Sequence, residues 1–321
     1  MSENEKEAMQ TVQENELRED ILKVMHRHGI SQARLARESG VTPARLNQWI
    51  AGKYKGNTAA TAQELSIWLK SMLEREEQAA SGCIPSSPSW MPTPTANRVL
   101  NALRYAQRMA DISIVYGGAG LGKTLTARRY QEDNPNVWIA TMTPSVISVT
   151  ACLERVAYAV GVNGVPASAS RAENAVISRV EGTGGLIVID EAQHLPVACL
   201  DALRSLYDAS GVGLIFMGNE SVYTQLTGGS RKAHFAQLFS RIGRRERLTA
   251  PALGDIDTLL DAWGVADAKA RTLCHEIGTK AGALRGLTKV LRMAFLMLDE
   301  GENKVSALHI ENAWSELGGL M

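Results

Sequence analysis

Eight residues a third of the way along the chain, Gly117, Gly118, Ala119, Gly120, Leu121, Gly122, Lys123 and Thr124, run in the order GxxxxGK[ST]. Glycine at these positions lets the backbone curl so that successive amide hydrogens face an anion. A lysine and a threonine at the end of such a loop reach the outer phosphates of a nucleoside triphosphate and a divalent cation, respectively. The expected cradle therefore runs from Gly117 to Thr124 and into Leu125. A second group lies 67 residues beyond Lys123, where the apolar run Leu186–Ile189 ends in Asp190 and Glu191. Two carboxylates ending a buried parallel strand sit at the edge where open α/β sheets take ligands. In that setting Asp190 would serve the metal, with Thr124, and Glu191 would polarise an attacking water. The pair predicts hydrolysis as well as binding of a nucleoside triphosphate, with Mg²⁺ as the metal.

Other polar residues fit the same chemistry less specifically. Asn219 follows an apolar run through Gly218, and would either align the water or simply form a turn. Arg285, in Gly282-Ala-Leu-Arg285, would contact bound phosphate from a lid, or be a solvated helix arginine. Residues 231–247 carry six Lys or Arg against the single Glu246. Among them, Arg241, Arg244 and Arg245 are candidates for an arginine that completes a neighbouring subunit's site. A DNA-facing or plainly solvated surface fits that cluster too.

These groups need a scaffold, and the hydrophobic pattern supplies one. Apolar runs at Ile112–Tyr116, Val137–Met142, Leu186–Ile189 and Val212–Met217 alternate with helical spacing at 97–109, 123–132, 145–160, 171–181 and 197–209. A further strand is expected to end at Arg247–Thr249. Strands alternating with helices of this length predict βαβ units and a parallel sheet, an α/β fold. Residues 251–321 read as helical throughout. The expected division is a tail at 1–16, a helical domain at 17–78, a Pro/Ser-rich linker at 79–96, a core at 97–250 and a helical lid at 251–321. The linker rests on 81–95, which holds four of the ten prolines.

Composition narrows the class. The 321 residues carry 34 Lys plus Arg and 34 Asp plus Glu, which excludes a uniformly basic coat but not local basic patches. Four separated cysteines form no CxxC pair, so zinc sites and disulfide frameworks lose support. No apolar stretch is long enough for a membrane helix, and the polar, acidic start is unlike a secretory signal. A cytoplasmic protein is expected.

Residues 17–56 hold eight Lys or Arg against three acids. Within them, Ser31–Ile50 has the spacing of a helix-turn-helix: Leu35 and Ala36 face a core, Gly40 turns, and Thr42 and Pro43 start the second helix. Arg45, Asn47 and Gln48 would then face the major groove of double-stranded DNA, with Lys53 and Lys55 on phosphates. A protein-docking module shares the same apolar spacing. A further helix is expected over 58–77, with Leu65, Trp68, Leu69, Met72 and Leu73 on one face.

Taken together, these elements resemble AAA+ P-loop ATPases, and more closely the Mu B family of transposition target-selection ATPases. The likeness is carried by Gly117–Thr124, Val137–Ile139 with Thr143–Ser145, Glu181–Ala192, Met217–Asn219, Thr227–Gly229, Phe235–Ile242 and Gly282–Arg285. By that resemblance Asn219 is the first sensor, Arg285 the second, and Arg241 ranks above Arg244 and Arg245 as the trans-acting finger. The family implies ATP-dependent homo-oligomers, helical filaments on DNA without strong sequence preference, that recruit a transposase. Family members carry a strongly basic run before the second acidic motif. Here Pro166–Asn174 keeps little of that charge, leaving Arg155, Arg171 and Arg179 as candidates for DNA contact. A helicase loader and an ATP-switched transcriptional regulator are the alternative readings.

Overall fold

The computed structural model describes residues 3–80, 90–164, 168–227, 240–299, 302 and 304–319. Contacts divide the chain into two units, 1–84 and 85–321.

The first unit is helical: α1 (Glu3–His28), α2 (Gln32–Ser39), α3 (Pro43–Ile50) and α4 (Thr58–Ala80). Its core gathers Ile21, Val24, Leu35, Ala36, Val41, Leu46, Trp49, Leu65 and Trp68. Ser31 caps α2 by accepting the Arg34 amide, and Gly40 ends it in the left-handed region. Thr42 and Pro43 open α3 as expected, although the Thr42 hydroxyl makes no capping bond. Two expectations differ. Helix α1 runs back to Glu3, through residues expected to form a tail: the segment has neither Gly nor Pro, and Glu, Gln, Ala and Met favour helix. Leu73 is 40% exposed, so it lies off the buried face of α4.

In the second unit α5 (Pro94–Met109) precedes β1 (Ile112–Gly117) and α6 (Lys123–Asp133). Then come β2 (Val137–Thr141), α7 (Val149–Ala159), α8 (Ala169–Val180), β3 (Leu186–Asp190) and α9 (Val197–Ser210). They are followed by β4 (Gly213–Gly218), α10 (Glu220–Thr227) and β5 (Ile242–Leu248). The sheet is parallel, in the order β2-β3-β4-β1-β5. Side chains alternate between two cores. Ile112, Ile114, Ile187, Ile189, Leu214 and Phe216 pack with α7, α8 and α9. Val115, Leu186, Val188, Ile215 and Met217 pack with α5 and α6. Covering both faces is why these strands read as unbroken apolar runs.

Helix α5 starts at Pro94, inside the expected linker, because proline at a helix's first position loses no hydrogen bond. Trp90 also belongs to the core unit, donating its indole N–H to the Thr126 hydroxyl at 3.4 Å. The expected linker residues 81–89, the basic residues Arg231 and Lys232, and the stretches 228–229 and 235–239 of the family likeness lie outside the described residues. So do 166 and 167 of the weakened basic run.

The C-terminal part holds α11 (Asp255–Ala262), α12 (Ala268–Thr279), α13 (Ala283–Leu296) and α14 (Ala307–Glu316) around their own core of Leu260, Trp263, Leu287, Val290, Leu291 and Ile310. It is anchored to the sheet unit by a fully buried carboxylate. Asp255 accepts the Thr95 and Ala252 amides at 2.8 and 2.7 Å and the Thr95 hydroxyl. Three donors on one buried carboxylate offset its desolvation and join the starts of α5 and α11.

Candidate functional site

Strand β1 delivers the glycine-rich loop and α6 begins at Lys123, so the loop's amides and the helix N-terminus share one concavity. The Lys123 ammonium donates to the carbonyls of Gly117 and Gly118 at 3.0 and 2.7 Å. Burial pushes its pKa down, while the Glu191 and Asp190 carboxylates pull it back up. A half-buried ammonium resting on main-chain carbonyls suits an incoming polyanion. Thr124 donates its hydroxyl to Asp190 Oδ2 at 2.8 Å. Asp190 is 2% exposed, and burial raises its pKa against the opposing pull of the Thr124 hydroxyl and the Glu191 amide. A hydroxyl and a carboxylate turned toward one another are the hard oxygen ligands that Mg²⁺ prefers, so this set fits that ion.

Glu191 follows β3 in the left-handed region, φ 55°, ψ 38°. That conformation is strained for a side chain with a Cβ, and such strain concentrates at working sites. Its amide donates to Asp190 Oδ1 at 3.0 Å. Asn219 leaves β4 and turns its Oδ1 onto the Ser221 amide at 2.9 Å, capping α10. The turn-forming role is thus present. Gln193 has no place in the expected set. It donates to Glu191 and accepts the Asn219 amide at 3.3 Å. Its only trace in the sequence is a polar residue two positions past the acidic pair.

From the other side, α13 docks on the loop. The Arg285 amide donates to the Gly120 carbonyl at 3.2 Å, and the Arg285 charge is felt at Lys123. A Cβ at Gly120 would lie 2.0 Å from the Gly282 carbonyl oxygen, so only glycine allows this approach. Residues 282–285 are therefore brought to the phosphate loop.

Arg241 lies elsewhere. It precedes β5, whose first residue Ile242 pairs with Ile112, whereas Leu248 pairs with Gly117. At about 3.3 Å per residue, this puts Ile242 roughly 17 Å along the sheet from the phosphate loop, with Arg241 one residue beyond it. Arg241 pairs there with Asp208 at 2.8 Å. Arg244 bridges to Glu246 at 3.3 Å, and Arg245 is exposed on the same strand.

The chain carries the sequence signature of an AAA domain over residues 107–226 and of "Mu B transposition protein, C terminal" over 240–317. It is 36% identical over 283 residues to the ATP-dependent target DNA activator B of Escherichia phage Mu, covering 88% of this chain and 89% of that protein. The chain belongs to the Mu B family. A Mu-like prophage relative from Haemophilus influenzae, the FluMu DNA transposition protein B, is 31% identical over 81% of this chain and 90% of its own length. Two solved structures share the fold alone. A Walker-type ATPase of Pyrococcus abyssi gives a TM-score of 0.52 at 12% identity, covering 70% of this chain and 71% of its own. A chain of Drosophila ORC bound to DNA gives 0.50 at 16%, covering 74% and 65%.

Placed against this Mu B architecture, the residues expected to face DNA divide. Asn47, Gln48, Lys53 and Lys55 are exposed on and after α3. Arg45 is half-buried and forms an ion pair with Glu64 of α4. Arg155, Arg171 and Arg179 are all exposed on α7 and α8, with the Arg179 guanidinium 5.5 Å from the Trp138 ring centre. Among the described residues no helix is long and apolar enough to cross a membrane.

Proposed function

We propose that this Mu B family member hydrolyses ATP and uses the bound nucleotide to assemble on double-stranded DNA as a helical filament that recruits a transposase. The observation that carries this reading is the separation of Arg241 from its own phosphate loop by the length of the sheet. A site that uses Arg241 must take it from a second copy, so nucleotide becomes the bond between subunits.

Within the site, the loop amides and Lys123 would bind the phosphates and Arg285 would close over them from the lid. Thr124 and Asp190 would hold Mg²⁺, which supplies charge neutralisation on the phosphates. Glu191 would accept the proton of the attacking water, and Asn219 would orient that water or the outer phosphate. Loss of that phosphate removes the anion that draws Lys123, Arg285 and the neighbour's Arg241 together, which favours release from DNA. Asn47, Gln48, Lys53 and Lys55 would contact duplex DNA from a helix-turn-helix domain, with Arg155 and Arg171 adding phosphate contacts. Binding through Lys and Arg predicts salt sensitivity and little sequence preference.

Electron microscopy of the purified protein with plasmid DNA under ATP, ADP and no nucleotide tests this. Ordered filaments on arbitrary duplex with ATP alone are expected. Single copies on DNA whatever the nucleotide, or equal DNA affinity with and without ATP, would overturn it. A preference for single-stranded DNA would point to a helicase loader, and protection of one operator to a regulator.

A further inference from the structure

We propose that Gln193 is a positioning residue that sets the Glu191 carboxylate for the attacking water and ties it to the sensor segment at Asn219. The inference rests on Glu191 being the general base.

Gln193 lies on the single 3₁₀ turn Ala192–His194 that follows β3. Its carboxamide spans two strand ends. Nε2 donates to Glu191 Oε2, and Oε1 accepts the Asn219 amide at 3.3 Å. The space for it is cut into β4: a Cβ on Gly218 would lie 2.2 Å from Gln193 Oε1 and 2.5 Å from Val222 Cγ2. The glycine before Asn219 is thus required by where the carboxamide lies. Glu191 is consequently held twice, its amide by Asp190 Oδ1 and its carboxylate by Gln193.

The chemistry asks for a carboxamide. One end must donate to a carboxylate and the other must accept an N–H, and the Gln193 carboxamide does both. With Oε2 engaged, Oε1 of Glu191 is left to take the water's proton. Because the same side chain holds the Asn219 amide, a shift of the β4 end on nucleotide binding moves the base with it. The charged neighbours of this group are Lys123 on α6 and Asp190 on β3, with Glu220 on α10 and Arg285 on α13 reaching Lys123.

Steady-state ATP turnover and nucleotide binding of Gln193→Met, Gln193→Glu and Gly218→Ala, beside Glu191→Gln, test this in the full chain with duplex DNA. Gln193→Met keeps the length and loses both bonds. Its kcat should fall roughly ten- to a hundredfold, the loss expected for one hydrogen bond to a charged group, with KM for ATP within about twofold. Gln193→Glu, nearest in shape, should fall at least as far, because it sets a second carboxylate against Glu191. A merely structural role predicts the reverse order, and that order would overturn the proposal. Gly218→Ala, which intrudes on the carboxamide, should lower kcat in the same sense. If Gln193→Met does not fold, the Gln193→Glu result decides. Slow Glu191→Gln with wild-type kcat in the Gln193 variants would sink the positioning role alone. Unchanged turnover in Glu191→Gln would remove the general base, and the proposal with it.

Discussion

The two ends of the parallel sheet are built on opposite principles. At the carboxyl end, Gly117–Thr124, Asp190, Glu191, Gln193, Asn219 and the lid residues 282–285 converge through hydrogen bonds of 2.7 to 3.3 Å. At the amino end, Arg241 stands at the start of β5 in a half-exposed pair with Asp208, which also holds Arg204. The first end is crowded and self-satisfied; the second presents a cation on a carboxylate it shares. Surface pairs of that kind contribute about 0–1 kcal/mol, so an anion on another subunit can draw Arg241 away. Under the proposed function, the contrast means that the fold would complete its chemistry by joining unlike ends of two copies.

The most damaging test of that contrast is complementation. Arg241→Ala should lower turnover roughly a thousandfold, in the range an arginine finger supplies, while leaving nucleotide binding to the single chain intact. Lys123→Ala should be inactive as well. A mixture of the two should recover part of the wild-type ATPase rate, because some junctions pair an intact loop with an intact Arg241. Two inactive variants that stay inactive when mixed would mean that the ends do not meet.

A smaller effect sharpens the description of the crowded end. Gly120→Ala drives a methyl into the Gly282 carbonyl and places a Cβ at φ 78°. ATP affinity should drop about tenfold, equivalent to ~1.4 kcal/mol, as α13 is pushed off the loop. Equilibrium titration with a fluorescent nucleotide reads this; unchanged affinity would show that lid contact is dispensable for binding.

The smallest effect concerns charge. Burial raises the Asp190 carboxyl above its ordinary range. Its protonated form therefore favours folding, and that contribution disappears as pH rises through the folded-state value. At neutral pH without nucleotide, Asp190→Asn should raise Tm by a few degrees, with the gain shrinking toward acid pH. The same change should remove the extra Tm rise that Mg²⁺ gives with ATP. A lower Tm in Asp190→Asn would mean that the Thr124 bond outweighs the desolvation.

Most of the sheet could be read directly, since β1 to β4 are apolar on both faces and end within a residue or two of the expected positions. Strand β5 could be read only at its end. Its residues Arg244–Arg247 are all charged on an edge strand with one partner, a pattern that also describes a solvated surface. The phosphate loop and the Asp190–Glu191 pair were legible because their parts are neighbours in the chain. Gln193 was not, since its second partner comes 26 residues later from another strand. The ion-pair partner of Arg45 was hidden for the same reason: Glu64 lies 19 residues away on α4.

Local spacing thus sufficed for the glycine loop, the acidic strand end, the alternation of strand and helix, and the helical pair around Gly40. These depend on backbone conformation and periodic burial, which act over a few residues. Folding alone decided that Arg241 stands a sheet's length from Lys123, that Gly282 seals against Gly120, that Asp255 binds Thr95, and that a carboxamide links Glu191 to Asn219. Each of those depends on distances between segments remote in the chain, and only packing around a common core sets such distances.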